Sequence, residues 1–229
     1  MPGRISVIIP TLNEEGYIGD LLRKLVQVPD LEIIVSDGGS RDRTLAICRS
    51  LGIRTVSSPA GRGRQLNAGA GAATGDIFFF LHADSCPEEQ VFPEIRQAVA
   101  EGSSWGCCSL VFSENTLFYR LVAAASRSRA RFTSSCYGDQ GIFCTRELFN
   151  RVGGFPEFPF LEDLAFSHRL RRQEKARVLQ ARIVTSTRRF RQNGPGRTLF
   201  KMQLVKLLFI LGVPPARLIG FYQGAKKVD

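Results

Sequence analysis

The chain has 229 residues and a formal net charge of +10, from 31 lysine and arginine against 21 aspartate and glutamate side chains. This length fits one large domain, or one domain with an extension, and the charge favours phosphorylated or anionic partners. The six cysteines form no C-x-x-C pair, which argues against zinc and gives no disulfide framework. No basic-then-apolar leader precedes Ile5, so a reducing, cytoplasmic location is expected.

Apolar runs alternate with turn residues along the first third of the chain. The predicted strands are Ile5–Ile9, Leu31–Ser36 and Ile53–Ser57. The predicted helices are one capped by Asn13, one over Asp42–Leu51 and one over Gln65–Ala73, the last preceded by a basic glycine loop, Gly61–Arg64. This alternation predicts parallel strands with right-handed crossovers, and so an α/β fold.

An unbroken apolar run follows Asp76 and ends abruptly at His82, Ala83, Asp84 and Ser85. A short segment that is apolar on both faces is typical of a strand buried inside a parallel sheet. Because ligands of open α/β sheets bind beyond the carboxyl ends of the strands, this strand is expected to deliver Asp84 to a pocket.

The remaining segments are predicted from the same signals. They are helices over Pro87–Ala100, Leu117–Arg131 and Leu161–Arg172, strands over Trp105–Phe112 and Gly141–Thr145, and a helix that ends near Val152. We divide the chain into a main domain, residues 1–190, and an amphipathic helical extension, residues 191–229. Docking on the sheet or dimerisation is the favoured role of this extension. Peripheral contact with an anionic membrane, at the inner face, is the alternative.

Acidic residues recur where strands end or helices begin in this basic chain. They are Glu14, Asp37, Asp84, Asp139, Glu162 and Asp163. Each one alone has an ordinary explanation, because acids favour turns and helix N-termini. Together, at one edge of a parallel sheet, they suit a hard divalent cation shared with substrate phosphates.

Five motifs occur in an order that resembles family 2 glycosyltransferases of the GT-A fold. They are V-I-I-P-T-L-N-E-E (7–15), V-S-D-G-G-S-R-D-R-T (35–44), G-R-G-R-Q-L-N-A-G (61–69), F-L-H-A-D-S (80–85) and L-E-D-L (161–164). The implied fold is a mostly parallel, Rossmann-like sheet flanked by helices. With G-D-Q-G-I-F (138–143), G-G-F-P (153–156) and T-S-T-R-R-F (185–190), the chain also resembles a small stand-alone bacterial subgroup labelled radical-SAM-associated or arsenosugar biosynthesis glycosyltransferases.

The resemblance implies a metal-dependent, inverting transfer from a nucleoside-diphosphate sugar, with a UDP-sugar favoured, to a small-molecule or lipid-linked acceptor. It implies that Asp84 binds Mn²⁺ or Mg²⁺ and that Asp163, beside Glu162, supplies the catalytic base. The implied nucleotide-sugar contacts are Pro10, Thr11, Asn13, Glu14, Asp37, Arg62, Arg64, Ala83 and Asp84. Further candidates for acceptor or diphosphate contacts are His82, Asp139, Gln140 and Arg189.

The chain departs from the family pattern at two positions. His82 replaces the first acid of the DxD motif, and Gly38 replaces the second aspartate of D-D-G-S. With one protein carboxylate left for the metal, we expect weak metal binding without nucleotide. Imidazole is a poor ligand for Mg²⁺ and an acceptable one for Mn²⁺, so whether His82 ligates the metal stays open.

Three other functions remain open. A nucleotidyltransferase would release pyrophosphate, whereas an oxidoreductase is disfavoured because no G-x-G-x-x-G turn follows the first strand. A nucleic-acid-binding module is suggested by arginines near Phe132, Tyr137 and Phe190. Acids at the strand ends would repel a phosphate backbone, so no nucleic-acid partner is expected. A catalytically inactive carrier of the same fold is the third alternative.

Overall fold

A computed structural model describes residues 3–223, except for the side chains of residues 189, 219 and 221–223. Its strands are β1 (Ile5–Thr11), β2 (Leu31–Asp37), β3 (Arg54–Ser57), β4 (Ile77–Phe80), β5 (Ser85–Pro87), β6 (Trp105–Phe112), β7 (Ile142–Thr145) and β8 (Arg177–Thr185). They form a single mixed sheet in the order β3-β2-β1-β4-β7-β6-β8-β5.

Helices cover the two faces and one edge of this sheet. They are α1 (Ile18–Leu25), α2 (Thr44–Ser50), α3 (Arg62–Ala72), α4 (Val91–Ala100), α5 (Leu117–Thr133), α6 (Arg146–Arg151), α7 (Glu162–Leu170), α8 (Arg188–Asn193), α9 (Pro195–Ile210) and α10 (Pro215–Gln223). A 3₁₀ turn occupies Gly138–Gln140. The α/β class with a helical C-terminal part is therefore confirmed.

Strand β4 lies inside the sheet, as the apolar run predicts. It pairs in parallel with β1, placing Phe80 beside Ile8, and β1 pairs in parallel with β2, placing Thr11 beside Asp37. Phe79 packs in the core on one face of the sheet, whereas Phe80 packs in the core on the other face. Because apolar side chains fill both faces, the polar residues after β4 emerge only at the rim of the sheet.

The half of the sheet beyond β4 is mixed. Strand β7 is antiparallel to β4 and β6, and β8 is parallel to β6. The sequence reasoning missed β8, although buried and exposed residues alternate along most of its length. This strand matters because Thr185, at its end, lines the cavity described below.

The predictions for the segment between β1 and α1 were wrong in two details. Strand β1 continues through Pro10 to Thr11, since the missing N–H of proline is tolerated where β4 no longer pairs with β1. Asn13 does not cap α1, which begins at Ile18. Asn13 instead has a left-handed backbone (φ 56°), and its Oδ1 accepts a hydrogen bond from Arg41 N.

The C-terminal helices pack on the loops at the rim and on each other. A small apolar cluster joins Leu161 and Leu164 to Val205 of α9 and Leu218 of α10. Among residues 3–223, no helix is long and apolar enough to cross a membrane. The division at residue 190 remains our proposal, although α9 contributes to the same cavity as the main domain.

Candidate active site

A cavity of about 570 Å³ opens where β1, β4 and β8 end, and helices α7, α8 and α9 complete its wall. Eight of the residues singled out in the sequence line it. They are Pro10, Glu14, Arg62, His82, Ala83, Asp84, Asp139 and Asp163. The structure thus brings acids from distant parts of the chain to one rim, which is what the parallel topology predicts.

Thr11 and Asp37 lie behind this wall rather than on it. Asp37 is only 3% exposed, and its carboxylate accepts hydrogen bonds from the Thr11 hydroxyl (2.9 Å), the Ser40 hydroxyl (2.5 Å) and the backbone N–H groups of Gly39 and Ser40. Burial alone would raise the pKa of Asp37, but these hydrogen bonds outweigh it and lower the pKa. In this conformation Asp37 orders the turn after β2.

Four other candidates also lie off the cavity wall. Asn13 is exposed and bonds to the turn after β2, and Arg64 Nε donates to Glu157 Oε2 on the surface (2.9 Å). Gln140 is fully buried, and its Oε1 accepts hydrogen bonds from Arg129 Nη2 (2.5 Å) and Tyr137 N (3.2 Å). Glu162 is paired with an arginine, as described below. The side chain of Arg189 lies outside the described residues.

Asp84 follows β4 in a turn closed by a hydrogen bond from Ser85 N to His82 O (3.1 Å). Its carboxylate is 27% exposed, lines the cavity and lies 3.9 Å from Arg188 Nη2. Glu14 lines the same cavity, and its buried Oε2 has no hydrogen-bond partner. Burial raises the pKa of Glu14, Asp84 adds to the rise, and Arg188 opposes it.

These two carboxylates fit a hard divalent cation that takes its remaining ligands from a substrate. Among the described residues, no three His, Cys, Asp or Glu side chains cluster closely enough to hold a metal by themselves. Mg²⁺ commonly keeps several waters and binds through one or two carboxylates plus substrate phosphates. Asp84, with the unpartnered oxygen of Glu14 nearby, supplies a donor set of that kind.

Asp163 lies in the first turn of α7, and the 3₁₀ turn holds it in place. Gly138 N donates to Asp163 Oδ2 (2.8 Å). A Cβ at Gly138 would lie 2.6 Å from His82 Nε2 and 3.3 Å from Asp163 Oδ2. Glycine at this position therefore lets the His82 loop, the 3₁₀ turn and α7 meet at one point of the cavity.

Glu162 does not line the cavity but pairs with Arg62, which does. Its side chain is 2% exposed, and Arg62 Nη1 lies 3.0 Å from its Oε1. Burial, with Asp163 adding, raises the pKa of Glu162, and Arg62 opposes the rise. Leu161, just before this pair, has φ 64°, a sterically costly conformation for a leucine that begins α7 abruptly.

Two polar residues of the G-R-G-R-Q-L-N motif hold the rim together. Gln65 Nε2 donates to the carbonyls of Thr11 (2.6 Å) and Ser36 (3.1 Å), so α3 clamps the ends of β1 and β2. Asn67 exchanges two 2.9 Å hydrogen bonds with the backbone of Phe155 in the G-G-F-P turn. The predicted glycine loop is itself the first turn of α3, since that helix begins at Arg62.

The sequence reasoning missed the contribution of α9. Lys206 lines the cavity, its Nζ lies 3.8 Å from the ring centroid of Tyr137, and Arg129 Cζ lies 3.5 Å from the same centroid. Burial lowers the pKa of Lys206 to about 8, although Asp139 and Asp163 oppose this shift. The sequence carried no signal for this, because the face of α9 that packs inward, with Val205 next to Lys206, is set by tertiary packing.

Asp139 lies in the same part of the cavity, and its buried Oδ1 has no hydrogen-bond partner. Burial raises the pKa of Asp139, against the effect of Lys206 and Arg129. Apolar side chains also line the cavity, among them Phe112, Phe160, Phe190 and Met202. The cavity thus combines charged groups with an aromatic and apolar lining.

Comparison with known proteins identifies the family of the chain. The family model described as glycosyl transferase family 2 matches residues 6–154, more than half of the chain. A PGL/p-HBAD biosynthesis glycosyltransferase from Mycobacterium bovis (strain BCG / Pasteur 1173P2) is 29% identical over 164 residues, 66% of this chain and 62% of that protein. Dolichol-phosphate mannosyltransferase from Pyrococcus furiosus is 29% identical over 130 residues, 51% of this chain and 37% of that protein. The chain therefore spans less than two thirds of either relative.

Two solved structures share the fold. The mannosyltransferase PcManGT from Pyrobaculum calidifontis, in complex with GDP-Man and Mn²⁺, superposes with a TM-score of 0.65 at 22% identity, over 91% of this chain and 62% of that one. S. aureus TarS 1-349, in complex with UDP-GlcNAc, superposes with a TM-score of 0.63 at 20% identity, over 80% of this chain and 58% of that one. At these identities the likeness concerns the fold alone.

Proposed function

Because the chain belongs to glycosyl transferase family 2, we propose that it is a glycosyltransferase that moves a sugar from a nucleoside-diphosphate sugar to an acceptor hydroxyl. The observation that carries the proposal is that Asp84 and Asp163, which are 79 positions apart in the sequence, line one cavity. In this proposal Asp84 would help to hold a cation bound to the diphosphate, and Asp163 would act as the base toward the acceptor.

The proposed binding site for the donor combines Asp84 and Glu14 with Arg62 and Arg188, which are close enough to affect the pKa of Glu14. Mn²⁺ or Mg²⁺ held at Asp84 would neutralise charge that develops on the departing diphosphate. Arg188, 3.9 Å from Asp84, and Arg62, half exposed at the wall, would add positive charge at the same place. Support for a nucleotide-sugar donor also comes from the fold neighbours solved with GDP-Man and Mn²⁺ and with UDP-GlcNAc. We favour a UDP-sugar as donor.

Asp163 is our candidate for the catalytic base. Its Oδ2 is oriented by Gly138 N, and it lines the cavity together with Asp139 and Lys206. A carboxylate that takes the proton of the acceptor hydroxyl, on the side of the sugar opposite the diphosphate, gives inversion at the anomeric carbon. Glu162, which does not line the cavity but pairs with Arg62, would position that arginine and the start of α7.

The part of the cavity around Asp139, Lys206 and the Tyr137 ring is our candidate acceptor site. Asp139 presents a buried carboxylate oxygen without a partner, and Lys206 extends into the same space from α9. A polar acceptor could satisfy both groups while packing on the surrounding rings. Membership of the narrower subgroup, the radical-SAM-associated or arsenosugar biosynthesis glycosyltransferases, likewise remains a proposal.

A thermal-shift panel tests the proposed donor class. UDP, GDP, ADP and dTDP, with their sugars, are added with and without Mn²⁺, because a ligand that binds only the folded state raises its stability. We expect one nucleotide family to stabilise the protein, and to do so more strongly with Mn²⁺. The stabilising nucleotide sugar is then tested for release of its nucleoside diphosphate. Pyrophosphate release from a nucleoside triphosphate would instead identify a nucleotidyltransferase.

A further inference from the structure

The net positive charge of this chain comes from its C-terminal quarter. Residues 1–174 hold 19 basic and 20 acidic side chains, a formal charge of −1, whereas residues 175–229 hold 12 basic and one acidic side chain, a formal charge of +11. No aspartate or glutamate occurs between Glu174 and Asp229. A segment of this kind attracts an extended anionic surface.

Helix α9, in the middle of this basic segment, also presents apolar side chains to solvent. Phe200, Leu207, Ile210 and Leu211, the residue that follows α9, are each more than half exposed. Leu204 lies between Phe200 and Leu207 at helical spacing, so these residues form one outer stripe. Single exposed leucines are ordinary, but a continuous apolar stripe on one helix marks an interaction surface.

The outer stripe is not a core-facing surface exposed by a wrong rotation of α9, because the opposite face of the helix already packs against the protein. Val205 is fully buried against Leu161, Leu164 and Leu218, and Phe209 packs at the edge of the same cluster. Met202 and Lys206 line the cavity. Rotating α9 would expose these contacts, so the stripe must remain on the outside.

We propose that α9 lies on the surface of an anionic lipid bilayer, with its outer stripe at the boundary between headgroups and acyl chains. Arg197, exposed near the start of α9, and Arg217, exposed on α10, would then meet the lipid headgroups. An apolar face beside basic side chains on a helix too short and too charged to span is the pattern of an interfacial helix.

The charge distribution favours a bilayer over two other partners. A second copy of the chain would bring two segments of charge +11 together, and mutual repulsion opposes that contact. A nucleic acid would satisfy the arginines but would leave the apolar stripe in water. The inference concerns membrane binding only and does not depend on the transferase activity.

Sedimentation with vesicles tests this inference on the full chain. We expect the protein to sediment with equimolar phosphatidylcholine–phosphatidylglycerol vesicles, to bind pure phosphatidylcholine much more weakly, and to be partly released by salt. The double variant Phe200→Ser, Leu207→Gln should lose binding by more than about ten-fold. Arg197→Gln should weaken binding by about five-fold, the effect of one basic side chain near an anionic surface.

The matched control is the double variant Leu117→Gln, Leu121→Gln on α5, which removes two equally exposed leucines away from α9. It should bind vesicles as the wild type does, and circular dichroism should show that both double variants remain folded. Equal binding to neutral and anionic vesicles, or equal loss in both double variants, would overturn the proposal. So would a wild-type dimer that the α9 variant alone dissociates, or RNA binding that displaces the protein from vesicles.

Discussion

Replacing Lys206 by methionine is expected to stabilise the folded protein at neutral pH. Lys206 is partly buried where it lines the cavity beside Asp139 and Asp163, so its ammonium group has lost part of its hydration. Tyr137, Asp139 and Asp163 compensate in part, while Arg129 adds repulsion. Methionine has a similar length, carries no charge and packs readily in irregular spaces.

The size of the effect follows from the pKa of Lys206. A fall from 10.5 to about 8 means that the charged form is disfavoured in the folded state by roughly 3 kcal/mol. The folded pKa lies below the unfolded one, so between these values the unfolded chain binds more protons and the free energy of unfolding rises with pH. Of this destabilisation, about 2 kcal/mol should disappear between roughly pH 7 and pH 9.5.

Urea unfolding at these two pH values measures the prediction. The difference in unfolding free energy between Lys206→Met and the wild type should be largest near neutrality and should shrink by about 2 kcal/mol at the higher pH. Lys201→Met is the matched control, because Lys201 belongs to the same helix and does not line the cavity. If Lys206→Met destabilises the protein equally at both pH values, the buried-charge reasoning is refuted.

Three further substitutions test the site. Asp163→Asn should lower the rate of transfer by about 10²- to 10⁴-fold and leave donor binding nearly intact. The control Glu157→Gln, on the exposed surface, should change neither. Near wild-type turnover of Asp163→Asn would show that Asp163 is not the base. Gly138→Ala should cost about 1–3 kcal/mol in urea unfolding, because its Cβ would lie 2.6 Å from a histidine nitrogen. Gly71→Ala has open space and should gain about 0.4–1 kcal/mol, and equal effects would contradict the packing argument. Arg62→Ala should cost about 1–2 kcal/mol near pH 8 and less near pH 4, where the carboxyl group it pairs with is protonated; a pH-independent loss would disprove the ion pair.

The parts of the fold that follow from local pattern were predictable. The β4 run was correctly predicted as an interior strand, and β6 was predicted with its observed ends, Trp105–Phe112. Strand β8 was missed because its outward residues, Arg177, Gln180 and Arg182, make the segment look like a charged loop. The segment forms a strand because β5 and β6 pair with it in the sheet, and a single sequence does not show such pairing.

The sequence allowed us to predict which acidic residues line the candidate site, but not the hydrogen bonds and packing contacts that hold the site together. Strand-end logic placed Glu14, Asp84 and Asp163 at one rim. The same logic gave no hint that Asp37 would be enclosed by four hydrogen bonds, or that Asn67 would bind the backbone of Phe155, 88 positions away. Nor could it place Lys206, because the docking of a C-terminal helix depends on tertiary packing and not on local periodicity.

The central claim is that Asp84 holds a divalent cation together with the donor diphosphate. The most direct test is calorimetric titration of wild type and Asp84→Asn, with and without Mn²⁺, using the nucleoside diphosphate that stabilises the protein in the thermal-shift panel. The account predicts that Mn²⁺ tightens wild-type binding by about ten-fold or more, and that most of this gain is lost in Asp84→Asn while metal-free binding changes little. An Mn²⁺ effect of equal size in both proteins, or no binding of any nucleoside diphosphate, would contradict it.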